Sequence, residues 1–272
     1  MARSARIKTV NNQAWYHLYN RVAGCRMEMP FEARGVREKL IEVIKHYANA
    51  YFCDVSSFCI TGNHYHIVAN FEKLRNLSKA ELKERAALIY PNVHARTKNW
   101  MDYEWKRFEK RLFDMSGFMR NIQMHFAQWY NRRFQRKGRF WADRFKSVLL
   151  ASEQAVVDCM MYVELNPIRD GIAERLEEYK YSSLYLRNMG KGDWLVELSS
   201  LLRGATEKEV LQVYRERLYY RGEVPTKEGQ CIISREVIEQ EKNGDLNRMA
   251  YTLIPIIKEK PGTGLPANRS KT

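Results

Sequence analysis

The sequence predicts an α+β fold, an antiparallel sheet with helices packed on one face. Two observations carry that prediction. Short runs of aromatic and β-branched residues alternate with segments whose apolar residues recur every three or four positions, the signatures of strands and amphipathic helices. The order of these segments is strand, helix, hairpin, helices, strand, helix, the order of an α+β sandwich. With 272 residues, of which 45% are hydrophobic, the chain can bury one sizeable core or a core domain with appendages.

The first strand is predicted over Ala14 to Val22, AWYHLYNRV. From Glu32 to about Tyr51, Val36, Leu40, Val43, Ile44 and Tyr47 recur at helical spacing. Phe52 to Thr61 is predicted as a strand, Gly62-Asn63 as a turn, and His64 to Phe71 as the antiparallel partner. Residues 73 to 103 are charged and interrupted by Pro91, which fits a helical excursion with loops. One long helical stretch follows from Tyr103 to Phe134, then a basic turn, then a short strand from Lys146 to Ala151. Ser152 is a suitable N-cap for a helix reaching Leu165. Asn166-Pro167 is expected to end it, because proline disfavours helical geometry in the residue before it. The domain reading is 1–190 for the main unit, 191–257 for a helical C-terminal extension, and 258–272 for a disordered tail rich in Gly, Pro and charge.

The net charge of +14 and the isoelectric point near 9.5 favour a polyanionic partner, nucleic acid or an anionic membrane surface. Mean hydropathy is −0.56, and no apolar run has the length of a spanning helix. The first residues, MARSARIKTVNNQ, lack the apolar core of a signal peptide, so a cytoplasmic protein with no membrane partner is expected. Cys25, Cys53, Cys59, Cys159 and Cys231 are odd in number and lack Cys-x-x-Cys spacing. Reduced, structural thiols follow, not a disulfide framework or a zinc site.

Three features carry chemistry. His64-Tyr65-His66 places two imidazoles on one face of a strand, roughly 6.5 to 7 Å apart along the chain, where both can reach one cation. Such a pair also arises by chance on a solvated sheet face. The second feature is Tyr162, four residues before Asn166 and so on the same helical face. A phenol is a poor nucleophile at neutral pH, but a nearby cation stabilises the phenolate and polarises a phosphate. Asn166 could offer that cation a carbonyl oxygen. Tyr162 is equally at home as a core residue, and Tyr130, in QWYNRRF, is a rival nucleophile on a more basic helix. The third feature is a basic stripe, residues 106 to 146, with twelve Lys and Arg against three acidic residues. Arg132, Arg133, Arg136, Lys137, Arg139, Arg144 and Lys146 suit phosphates, and Trp141 offers a face for an unpaired base. The competing assignment is a solvated face with Phe140, Trp141 and Phe145 in the core.

Taken together, ITGNHYHIVANF resembles the His-hydrophobe-His motif of the HUH superfamily. GRFWADRFKSVLL, YVELNPIRDGI and EYKYSSLYL resemble, in the same order, the signature blocks of its single-tyrosine transposases, nearest to their REP-associated branch. WYHLYNRV resembles that family's first strand, so the likeness spans residues 14 to 188. It implies a ferredoxin-like sandwich with the tyrosine helix over the sheet. It also implies Tyr162 as nucleophile, His64 and His66 as ligands of Mg²⁺ or Mn²⁺, and Asn166 as a third, polar ligand. Implied too are single-stranded DNA with REP-like hairpins as the partner and a 5′-phosphotyrosine intermediate. Where many relatives carry Pro-Asn before the first histidine, this chain has Gly62-Asn63. A non-catalytic hairpin-binding protein is the alternative; replication-initiation and relaxase nucleases rank lower, for want of a helicase signature. Sequence leaves open a homodimer in which the tyrosine serves the partner's metal.

Overall fold

The computed structural model describes residues 12–243 except 26, 203 and 205, so the expected tail lies outside the described residues. Four strands, β1 (Ala14–Arg21), β2 (Cys53–Ile60), β3 (His64–Phe71) and β4 (Lys146–Leu150), pair antiparallel in the order β2-β3-β1-β4. Helix α1 (Val36–Ala50) joins β1 to β2. Between β3 and β4 lie α2 (Lys79–Ile89), α3 (Val93–Thr97), α4 (Asp102–Leu112) and α5 (Met115–Arg133). After β4 come α6 (Glu153–Glu164), α7 (Asn166–Arg169), α8 (Ser183–Asn188), α9 (Glu207–Gly222) and α10 (Arg235–Asn243). With α1 and α5 as crossovers, this is the ferredoxin-like α+β arrangement.

The helices are not confined to one face, which corrects the sequence expectation on that point. On one face Tyr16, Leu18, Phe58, Ile67 and Phe71 pack against α1 and α5 through Leu40, Ile44, Phe118, Ile122 and Phe126. On the other, Cys59 and Val68 pack against α6 through Val156, Met160 and Val163, with Tyr214, Leu218 and Tyr219 of α9 behind. The physical reason is visible in β2 and β3, where nearly every side chain is buried. Strands apolar on both sides need two covers, each buried Leu, Val or Phe being worth about 1.5–3 kcal/mol. The described part of the expected C-terminal extension therefore shares a core with α6. Arg169, buried at the end of α7, donates to the carbonyls of Arg221, Gly222, Val224 and Cys231 and fastens this region to it.

One element boundary differs from expectation. The stretch predicted as one helix from 103 to 134 breaks at Phe113-Asp114, where Phe113 stacks on Phe52 at 4.5 Å and the Asp114 carboxylate accepts from Ser116 N. The tyrosine helix α6 ends at Glu164, just before Asn166-Pro167 as expected, and the short helix α7 follows it. Pro167 sits in the first turn of α7, where its missing N–H costs little. The helical path then closes at Gly171, which adopts φ +67° while Gly171 N and Ile172 N donate to Ile168 O and Pro167 O. Asn166 at the start of α7 stays bonded to the Tyr162 carbonyl, and Asp170 at its end comes within 3.6 Å of His64.

All five cysteines are free thiols, with Cys53, Cys59 and Cys159 buried. Among the described residues no helix is long and apolar enough to cross a membrane.

Candidate active site

Sheet register brings the candidate residues together. In the β1–β3 pair Tyr19 lies opposite His66, Arg21 opposite His64 and His17 opposite Val68. Alternation then puts His17, Tyr19, His64 and His66 on the face that α6 covers. The rings of His17 and His66 lie 5.0 Å apart at 25°, and Tyr19 and His66 lie 5.5 Å apart at 27°. The Tyr162 ring meets this group edge-on, 5.8 Å from His66 and 5.9 Å from His17. The Tyr162 ring and the His66 ring therefore meet within a single chain.

Each imidazole is oriented through its Nδ1. His64 Nδ1 lies 2.8 Å from Thr61 Oγ1 and 3.0 Å from Asn63 Oδ1. The Thr61 hydroxyl donates to His64 O and the Asn63 amide oxygen accepts from Nδ1, which turns the other ring nitrogen, Nε2, toward the site. That nitrogen faces Asp170 Oδ2 at 3.6 Å. His66 Nδ1 is 2.8 Å from His17 Nε2, leaving His66 Nε2 for another partner. Burial drives the His66 pKa well below its usual value, lowers His17 to about 4, and lowers His64 against the opposing pull of Asp170. Neutral imidazole is the ligand form.

Asn166, 5% exposed, donates Nδ2 to the backbone carbonyls of Tyr162 and Val163, and its side chain acts on His64, raising the pKa that burial lowers. With both amide hydrogens spent on its own helix, its Oδ1 is the atom presented to the site. Burial, then the Asp170 charge, raises the Tyr162 pKa, so the phenol holds its proton more firmly here than in water. On the opposite side of α6 the buried Glu164 carboxyl accepts from Ser57 Oγ, Ser183 Oγ and Leu184 N, holding the tyrosine helix on the sheet.

Among the described residues no three His, Cys, Asp or Glu side chains form a cluster able to hold a metal ion. A cation here would need the Asn166 amide oxygen beside the imidazole nitrogens. Two imidazole nitrogens and one amide oxygen would then be the donors available to such an ion.

The basic residues lie at the end of α5 and in the loop to β4. Arg132, Arg133, Arg136, Lys137, Arg139, Arg144 and Lys146 are all exposed. Lys146 is in register with Tyr19 and lies 5.9 Å from the centre of its ring, so the stripe runs up to the imidazole group. Trp141 belongs to the core instead. Its indole packs on Tyr65, Phe126 and Phe140 and donates to Gln123 O at 2.9 Å. Phe140 and Phe145 are buried. Tyr130, 9% exposed, packs on Phe134 and Phe140 in the core of the opposite face, away from the histidines.

Among solved structures, the chain is similar to a REP-associated tyrosine transposase bound to a REP hairpin. Identity is 11%, the match covers 71% of this chain and 87% of that one, and the TM-score is 0.47. No family model and no curated protein matches the sequence.

Sequence reasoning missed His17, Tyr19, Asp170 and Glu164. The first two were signalled only by alternation in β1, and their meeting with His66 depends on a register that sequence does not print. Asp170 was signalled by its spacing of four from Asn166, but the helix was expected to stop before it.

Proposed function

We propose that the chain is a metal-dependent transposase or endonuclease that cleaves and rejoins single-stranded DNA beside hairpins, with Tyr162 as nucleophile. The observation that carries this reading is the edge-on approach of the Tyr162 ring to His66 and His17, with His64 and Asn166 beside it. His64, His66 and Asn166 would hold Mg²⁺ or Mn²⁺. When bound, the ion supplies positive charge that stabilises a phenolate and polarises a phosphate. That charge is needed, because ionising a phenol of pKa near 10 at pH 7 costs about 4 kcal/mol even before burial adds to it.

The protein's own groups do the rest. The exposed arginines at the end of α5 and in the loop to β4 hold the DNA backbone, and Lys146 leads the strand toward the imidazoles. As the Tyr162 Oη–phosphorus bond forms, the bond from phosphorus to the 3′-oxygen breaks. The phenol proton ends on the departing 3′-OH, and the 5′-phosphate stays on the tyrosine. Attack by another 3′-OH reverses the step and rejoins strands without an outside energy source.

The test is Tyr162→Phe with a labelled hairpin substrate and Mn²⁺. Wild type should give a denaturant-resistant adduct and the variant none, with hairpin affinity unchanged; an adduct on the variant would refute the assignment. One observation favours a second reading, a non-catalytic hairpin binder: burial makes the Tyr162 phenol a weaker acid. Salt-sensitive binding by wild type, with no adduct under Mg²⁺ or Mn²⁺, would support that alternative.

A further inference from the structure

Eight consecutive residues, Arg132 to Arg139, lie exposed where α5 ends, and five of them are Lys or Arg with no acid among them. In their midst stands one large apolar side chain, Phe134, 40% exposed. Its ring rests on Tyr130, centres 4.4 Å apart, and Tyr130 rests in turn on the buried Phe140 at 4.5 Å. A ring backed in this way is held in place while part of it meets water. The Arg133 guanidinium lies 5.7 Å from the centre of the Phe134 ring and 5.5 Å from that of Trp129, and that of Arg136 lies 5.9 Å from Phe140.

The backbone fixes this arrangement. Gln135 N donates to Arg132 O and Arg136 N to Asn131 O, the pair of bonds that closes a helix through a left-handed residue. That residue is Gln135, at φ +49°, where glycine is the usual occupant. The residue that follows often folds an apolar side chain back over the last turn; here it is the exposed Arg136, so the closure lays no apolar cover there. Asn131 Nδ2 braces the turn by donating to Gly138 O. From the turn the chain runs back toward Tyr162: Ala23 N donates to Phe140 O, Ala142 N donates to Arg21 O, and Lys146 is in register with Tyr19. Exposed Arg139, Arg144 and Lys146 line that path.

We propose that Phe134 is a stacking platform for an unpaired base of single-stranded DNA, with Arg133 and Arg136 on the phosphates beside that base. This rests on the proposed reading for its single-stranded DNA, and deepens it by naming where a base away from the scissile phosphate sits. Every base has a flat π-face that an aromatic ring can meet, whereas bases inside a duplex cover one another. The role expected of Trp141 falls to Phe134, whose ring is open where that of Trp141 is enclosed.

The test is fluorescence anisotropy with the full chain and two dye-labelled probes, a thymidine oligonucleotide and a blunt duplex of the same length. Wild type, Phe134→Ala, Phe134→Leu and Phe134→Trp are compared at one salt concentration, with the thermal midpoint of each recorded. Loss of one stacked base should raise the Kd for the oligonucleotide about fivefold to a hundredfold in both Phe134→Ala and Phe134→Leu, with the Kd for duplex unchanged. Phe134→Trp should bind the oligonucleotide at least as tightly as wild type. Wild-type affinity for the oligonucleotide in Phe134→Ala would overturn the inference, and so would an equal loss for both probes, the mark of a disturbed turn. Loss in Phe134→Ala with full affinity in Phe134→Leu would also overturn it, because apolar bulk and not a π-face would then be what matters. Phe134-dependent binding by a wild type that forms no adduct would support the platform and remove only the reaction proposed above. Wild type that binds neither probe would bring down both readings at once.

Discussion

Glu164→Gln tests how the tyrosine helix is held to the sheet. The Glu164 carboxyl is fully enclosed between α6, β2 and α8, and burial pushes its pKa from 4.5 up to about 7, against the pull of its hydrogen bonds and of Arg187. The folded state therefore favours the protonated form. Between pH 4.5 and about 7 the unfolded chain binds fewer protons at this site than the folded one, so stability from this group is complete at low pH and is lost as pH rises through 7. Raising the carboxyl from 4.5 to about 7 is worth about 3 kcal/mol. Glutamine keeps an oxygen for Leu184 N and cannot ionise. Urea denaturation of both proteins at pH 4.5, 6, 7 and 8.5 should give a stability difference that moves by about 3 kcal/mol in favour of the variant as pH rises. The double difference removes every other titrating group common to both proteins. Parallel curves over the whole range would refute the reasoning and show that Glu164 titrates alike in the folded and unfolded chains.

Two further outcomes follow from the site. His17→Phe removes the partner that fixes the His66 ring, and should raise the Kd for Mn²⁺ by about tenfold to a hundredfold in a calorimetric titration, whereas unchanged affinity would leave His17 a bystander. Replacing Arg132, Arg133, Arg136, Lys137 and Arg139 together by alanine should flatten the dependence of log affinity on log salt by about 0.7 to 0.9 for each DNA phosphate that is no longer neutralised. An unaltered slope in a filter-binding series would move the DNA to another surface.

Much of the fold was legible because strand and helix periodicities are local. The bounds of β3 were read residue for residue, and α1 and α6 were placed from apolar spacing and from the Ser152 cap. What could not be read depended on partners distant in sequence. The break before α5 rests on Phe113 meeting Phe52, and the second cover of the sheet on α9 meeting α6. Proline was read as a stop, and α6 does end before it, but the short helix α7 that Pro167 opens was not foreseen. At the site, His64, His66, Tyr162 and Asn166 were named from spacing and resemblance, and the fold does bring them together. Tyr130 and Tyr162 were indistinguishable by pattern, because what separates them is which face of the sheet each helix covers. Trp141 looked free to stack on a base because sequence does not show that its indole N–H already has Gln123 O.

The most direct measurement is to locate the DNA on the protein. After reaction with a labelled hairpin substrate and Mn²⁺, nuclease trimming and trypsin, mass spectrometry should find the nucleotide remnant on the peptide Ser147–Arg169, in which Tyr162 is the single tyrosine. A remnant on the peptide bearing Tyr130, or on any other, would contradict the account.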